Sequence, residues 1–186
     1  MEKKVAIVVG KNFEEIEMVS VVDIVRRAGI SLTIVSFFNE EIVTGAHNLK
    51  IVSELNFSDL KAEDYDGLII PGGPGIDHLE TPLIEQDAVI ELVKTFASQE
   101  KLVAAICAAP QVLGKAGIVN DKNITHYPGS DQYLDQSKID LSKTSIIDGN
   151  IITGRSPGTA IAFALSIVEG LAGSEKRNEI EKQLVI

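Results

Sequence analysis

The chain has 186 residues, 45% of them hydrophobic and 24% charged, with a formal net charge of −10 and a single cysteine. That length closes a substantial apolar core, and with no repeat, low-complexity tract or linker-like stretch one domain spanning residues 1–186 is expected. An acidic chain without a concentrated basic patch excludes a stable nucleic-acid partner. A lone cysteine excludes an internal disulfide, and no Cys/His cluster has zinc spacing, so no metal is expected.

The N-terminal "MEKKVAIVVG" carries an apolar run too short for a signal-peptide core and reads as a first strand. "EEIEMVSVVDIVRRAG" follows with apolar residues at helical spacing, among them Ile16, Val19 and Ile24. It has acids at its start, two arginines at its end and a glycine stop, the polarity that suits the helix dipole and C-cap. "SLTIVSF" is a second strand, and "EEIVTGAHNLKIVSE", alternating and broken by Gly45, reads as a small β-hairpin excursion. Further strands are expected at "DGLIIP", "KLVAAIC" and "SIIDGNIITG", the last folded about a tight "DGN" turn. Helices are expected over "PLIEQDAVIELVKTFASQ", "APQVLGKAG" and "PGTAIAFALSIVEGL". The last apolar stretch falls short of the roughly 20 residues that span a bilayer, so no membrane partner and a cytosolic location are expected.

Continuous apolar character in the strands fits a mainly parallel sheet covered on both faces, and the alternation of strand and helix gives a three-layer α/β/α sandwich. Ligands bind such sheets beyond the carboxyl ends of the strands. Four segments are selected in this way: "GKNFEEIE", "PGGPGIDH", "CAAP", and "THYPG" after "KNI".

Cys107 stands where "LVAAI" turns into "APQVLGKAG". Free cysteine is most often a small buried hydrophobe. At a strand-to-helix turn, however, unpaired N–H groups and the helix dipole favour the thiolate, which is the nucleophile. Glu17 lies in an acidic run that reads equally as a solvated, dipole-complementing face, and His126 near a strand end equally as a backbone-bonded structural histidine. His78, after a glycine loop, is placed at the surface or the site entrance. "GGPG" is interrupted by Pro74 and lacks the dinucleotide fingerprint, while "GRSPGT" lacks the lysine of a P-loop, so no nucleotide cofactor is implied.

"AAICAAP", with "EEIE", "LIIPGG", "THYPG" and "GRSPGTAIAFAL" in the same order, resembles the ThiJ/PfpI superfamily over nearly the whole chain, most closely its branch of small deglycase-like proteins. The resemblance implies a flavodoxin-like sandwich related to class I glutamine amidotransferase domains, a homodimer, and Cys107 as a nucleophile on an elbow. It further implies Glu17 as the carboxyl group touching that cysteine, His126 as a nearby histidine, and the Gly72–Gly73 loop with Ala108 as oxyanion donors. Arg155, Pro157 and Gly158 would border the pocket. Where the family carries an arginine in the hairpin this chain has His47, so an anion contact there would be weaker or pH-dependent. Ala108 follows the cysteine where the family's peptidases have histidine, which removes most support for a cysteine peptidase or amidase.

Two functions fit the same thiol. One is cofactor-independent chemistry on reactive α-oxoaldehydes, either conversion of methylglyoxal to lactate or deglycation of early adducts. The other is a redox-responsive protective protein or chaperone in which Cys107 is oxidised to sulfinic acid.

Overall fold

A computed structural model describes residues 2–186. Its central sheet takes the parallel strands β1 (Lys4–Val9), β2 (Ser31–Ser36), β5 (Leu55–Asn56), β6 (Gly67–Ile70), β7 (Leu102–Ile106) and β11 (Ile151–Gly154). The antiparallel edge strand β10 (Ser145–Asp148) completes the order β10-β11-β7-β6-β1-β2-β5. Two antiparallel strands, β3 (Ile42–Thr44) and β4 (Lys50–Val52), form the expected hairpin. The "DGN" turn joins β10 to β11, also as expected.

Alternate residues of each central strand feed opposite layers, which explains their unbroken apolar character. Val5, Ile7 and Val9 of β1, with Ala104 and Ile106 of β7, pack on α1 (Glu15–Arg27) and α4 (Ala160–Leu184), against residues such as Met18, Val21 and Phe163. Ala6 and Val8, with Val103 and Ala105, pack on the other side against α2 (Asp87–Ser98) and α3 (Pro110–Lys115), where Val93, Phe96 and Val112 lie. The expected flavodoxin-like three-layer arrangement is therefore present.

Several boundaries differ from the sequence expectation. The helix expected from Pro82 begins at Asp87, because residues 83–85 form a separate 3-10 turn. The "KNI" strand, β8 (Asn123–Ile124), pairs with the short β9 (Lys138–Ile139) outside the central sheet. The final helix runs on to Leu184, with a break at Gly173 where the backbone turns left-handed. By length and composition the segment Pro157–Leu184 is apolar enough to cross a membrane, unlike the shorter stretch read from sequence, but Phe163, Ala164, Ile167 and Val168 are buried in the core of the sandwich.

The face of α1 also differs. Its buried stripe is Glu17, Met18, Val21, Ile24 and Val25, while Ile16 and Val19 are 56% and 46% exposed. Met18, Val21 and Val25 are spaced by about one turn and point to the sheet together, and Glu17 shares their face. A carboxyl group is thereby carried into the interior.

Candidate active site

Successive connections leave β1 toward opposite sides, β2 on one and β6 on the other, which opens a crevice at the carboxyl ends of β1 and β6. Glu17 enters it from α1, Gly72 and Gly73 from the loop after β6, and Cys107 from the end of β7.

Cys107 occupies the left-handed region at φ 66°, a conformation that costs a non-glycine residue about 1–3 kcal/mol and persists only when the surroundings impose it. Two backbone bonds impose it here. The Cys107 N–H donates to the Gly154 carbonyl at 2.9 Å, and the Tyr127 N–H donates to the Cys107 carbonyl at 2.9 Å. The side chain is held at the floor of a cleft of about 520 Å³. That cleft is lined by Cys107 and Ala108, by Gly73, Pro74, Asp77 and His78, by residues 127–130, and by Glu14 and Pro157.

Glu17 is fully buried. Its backbone N–H donates to Oε2 of Glu14, the N-cap of α1, at 2.8 Å, and its own Oε2 accepts the Gly72 N–H at 2.7 Å. Oε1 has no partner in hydrogen-bond geometry. The Cys107 thiol is nonetheless within interaction reach of this carboxyl group, a close approach rather than a formed bond. Burial raises the Glu17 pKa to about 8, and the nearby Glu14 charge adds to the shift, against the opposing Gly72 hydrogen bond and the nearby Cys107 thiol. At neutral pH the carboxyl group is mostly protonated.

The sequence argument for a depressed thiol pKa meets a correction. Burial pushes Cys107 up, and a charged Glu17 pushes it further, while the N–H groups of Ala108 and Gly73 pull it down; the balance is upward. The helix dipole contributes little because α3 has only six residues. The amides expected as oxyanion donors, those of Gly73 and Ala108, do both approach the sulfur.

Gly72 is the spacer between acid and thiol. A Cβ on it would lie 2.6 Å from Cβ of Cys107 and 2.8 Å from Oε2 of Glu17. Gly73 has φ +113°, and a Cβ there would meet the Asn12 carbonyl at 2.5 Å. Only glycine passes both points.

His126 is buried beside the elbow through its neighbour Tyr127, and its Nδ1–H donates to the Tyr127 carbonyl at 2.8 Å. This places the free lone pair on Nε2, which is buried without a partner and so makes no hydrogen bond to the sulfur. Pro157 lines the cleft, but Arg155 does not; its guanidinium donates to the Leu141 carbonyl at 3.0 Å. His47 also lies outside the lining. Its N–H groups go to Glu15, at 2.5 Å from the backbone and 2.9 Å from Nδ1, and this pairing raises the imidazole pKa. The chain brings metal-capable atoms of Glu14, Glu15 and His47 within 4.8 Å of one another, a grouping across the hairpin that sequence spacing does not reveal.

Glu14, Asp77 and Tyr127–Gly129 lie in loops that the sequence selects, though without an individual role there, while Gln111 and Ser130 fall outside them. Gln111 lies in the first turn of α3, directly after the Cys107 elbow, and that adjacency is the available signal.

Glu17 also couples stability to pH. An ordinary glutamate has a pKa of 4.5 and the folded Glu17 about 8, so the native state holds the extra proton between those values. The stabilisation is complete below the lower value and is lost as pH rises through the upper one, at up to about 1.4 kcal/mol per pH unit. Glu17→Gln removes this dependence. In melts at pH 5 and pH 8, the variant's stability relative to wild type is expected to increase with pH; a pH-independent difference would refute the buried-acid assignment.

The DJ-1/PfpI family model matches residues 3–170. Among curated proteins the chain is 36% identical to Drosophila melanogaster Protein dj-1beta, covering 100% of this chain and 98% of that protein. It is 37% identical to Caenorhabditis elegans Glutathione-independent glyoxalase DJR-1.2, over 93% of this chain and 90% of that one. The crystal structure of Drosophila melanogaster DJ-1beta superposes with a TM-score of 0.91, at 36% identity and covering 100% and 99% of the two chains. Toxoplasma gondii DJ-1, oxidized, gives 0.88 at 32% identity, with 98% of each chain covered. The elbow cysteine, its buried acid and its glycine spacer thus sit in a chain that belongs to the DJ-1/PfpI family.

Proposed function

We propose that the protein is a cofactor-independent cysteine enzyme that converts small α-oxoaldehydes to hydroxy acids, methylglyoxal to lactate being the simplest case. The observation that carries this reading is the buried Glu17 carboxyl group, with an unpartnered Oε1 and a pKa of about 8, packed against Cys107 across Gly72. The glyoxalase name of the 37% identical relative supports it.

In this reading the Cys107 sulfur bonds to the aldehyde carbon and the thiol proton ends on the aldehyde oxygen, giving a hemithioacetal. The amides of Gly73 and Ala108 hold the negative charge that develops on that oxygen. Glu17, as carboxylate, takes the proton from the former aldehyde carbon and returns it to the neighbouring carbon through an enediol, while the hemithioacetal hydroxyl proton passes to the former ketone oxygen, leaving a lactoyl thioester. Water cleaves the thioester, releasing lactate and regenerating the thiol. A base with a pKa near the working pH suits this transfer. Reversal of early glycation adducts would begin with the same attack.

The test is lactate formation from methylglyoxal by purified protein without glutathione, followed from pH 6 to 9. Turnover is expected to rise with pH until about 8, as Glu17 loses its proton. A flat or falling profile below pH 8 would exclude Glu17 as the base.

A second reading, redox sensing, is favoured by the same protonated acid and by the oxidized state named for the Toxoplasma structure. Two equivalents of peroxide would convert the thiol to a sulfinic acid and two waters, with Glu17 donating a hydrogen bond to the product. If Glu17→Ala leaves the yield and lifetime of that product unchanged, this role fails.

The reading takes the chain as one cytosolic domain acting as a homodimer, with Ile16 and Val19 on the exposed face of α1 as part of the contact. Light scattering at micromolar concentration is expected to give twice the chain mass, and a monomer mass would contradict it.

A further inference from the structure

The cleft also holds an acidic network beside the oxyanion amides. Asp77 follows the glycine loop, and both of its oxygens are engaged: Oδ1 with Nδ1 of His78 and Oδ2 with the Gln111 amide at 2.7 Å. Gln111 is itself immobilised. It is 2% exposed, donates also to the Ala108 carbonyl at 3.2 Å, and accepts the Gln132 N–H at 3.1 Å. Asp77 is therefore not a loose surface acid but a carboxylate tied to α3, the helix that follows the Cys107 elbow. Glu14 adds a second, largely buried carboxylate to the lining.

No lysine or arginine lines the cleft among the described residues. The nearest candidates read from sequence are turned elsewhere, Arg155 to a backbone carbonyl and His47 to Glu15. His78 does not reverse the balance, because two carboxylates face at most one imidazolium whatever its protonation state. The chain's net charge of −10 reinforces the same sign. An anionic substrate entering this cleft would lose hydration without finding a counter-charge, whereas a cationic group would meet fixed carboxylates.

We propose that Asp77, held by Gln111, and Glu14 make this a charge-selective site that accepts neutral or cationic carbonyl compounds and rejects anionic ones. The favoured class comprises free dicarbonyls and carbonyl adducts of guanidinium or ammonium groups; phosphorylated, nucleotide-borne or carboxylate-bearing carbonyl compounds are the excluded class. This assignment deepens the proposed α-oxoaldehyde chemistry by naming its substrate class. Charge selection at the thiol can nevertheless be measured without turnover.

The experiment compares the rates at which Cys107 is modified by two methanethiosulfonates, one bearing a trimethylammonium and one a sulfonate, each normalised to its rate with 2-mercaptoethanol. Uncharged iodoacetamide serves as the control, and methylglyoxal turnover is measured on the same samples. The cationic reagent is expected to be favoured by about tenfold or more at low salt, with the ratio falling toward unity as salt screens the field. Asp77→Asn is expected to reduce the ratio several-fold, each reagent's rate being divided by the same variant's iodoacetamide rate. Equal normalised rates for the two reagents in wild type, or a ratio insensitive to both salt and Asp77→Asn, would overturn the proposal. Absence of methylglyoxal turnover with the charge preference intact would instead overturn the proposed reaction and leave the selectivity standing.

Discussion

Cys107→Ser is expected to reduce methylglyoxal turnover to the uncatalysed background, a loss on the order of 10³-fold or more, since removing a covalent nucleophile leaves only binding and oxyanion contacts. Serine has nearly the same shape, and the backbone bonds that hold the elbow run through the N–H and carbonyl of residue 107 rather than through sulfur. Melting should therefore change by no more than about 1 kcal/mol, which separates chemistry from folding. Retained turnover in a folded Cys107→Ser protein would remove the thiol from the mechanism.

The second large effect is expected at a residue with no side chain. In Gly72→Ala the new methyl would meet Cβ of Cys107 at 2.6 Å, Oε2 of Glu17 at 2.8 Å and the Ile106 carbonyl at 2.8 Å. All three neighbours are buried and none is the free end of a flexible chain. Relief requires the loop after β6 to move, which strains or breaks the 2.7 Å bond from the Gly72 N–H to Glu17. Overpacking of this kind costs about 1–3 kcal/mol. A displacement near 1 Å between acid and thiol lowers turnover by roughly 10²-fold. Thermal melts, turnover and iodoacetamide labelling of the variant check both parts. Wild-type values in all three would mean that acid and thiol do not depend on this spacing.

The architecture was legible because the strands are apolar on both faces and the connecting helices are amphipathic. The site was legible where its groups belong to contiguous motifs: "AAICAAP" places Cys107 and Ala108, and "PGG" places Gly72 and Gly73. Glu17 was the harder case. In sequence it belongs to an acidic helix start, and its burial follows only from which side of α1 faces the sheet, with Ile16 and Val19 left outside. His47 and Arg155 illustrate the converse limit. A motif fixes a backbone position, but a side chain bonds to what it finds there, Glu15 in one case and the Leu141 carbonyl in the other. The Asp77–Gln111 link joins residues 34 positions apart and leaves no periodic trace in the sequence.

The thiol's electrostatics also required coordinates. A strand-to-helix turn suggested a lowered pKa, but the helix is short, the thiol is buried, and the acid beside it competes for the same proton. The resting pair therefore holds its protons at neutral pH, and reactivity depends on the Gly73 and Ala108 amides and on deprotonation of Glu17 rather than on a preformed thiolate.

The central claim is that Cys107 bonds to the substrate and Glu17 moves the proton. Mass spectrometry of Glu17→Gln incubated with methylglyoxal tests it most directly. Glutamine keeps a hydrogen-bonding group beside the sulfur but cannot carry the proton between carbons. The account predicts an adduct of one methylglyoxal on Cys107 that accumulates without lactate, while wild type forms lactate and shows little adduct. Lactate formed by Glu17→Gln at the wild-type rate, with Cys107 unmodified, would contradict it.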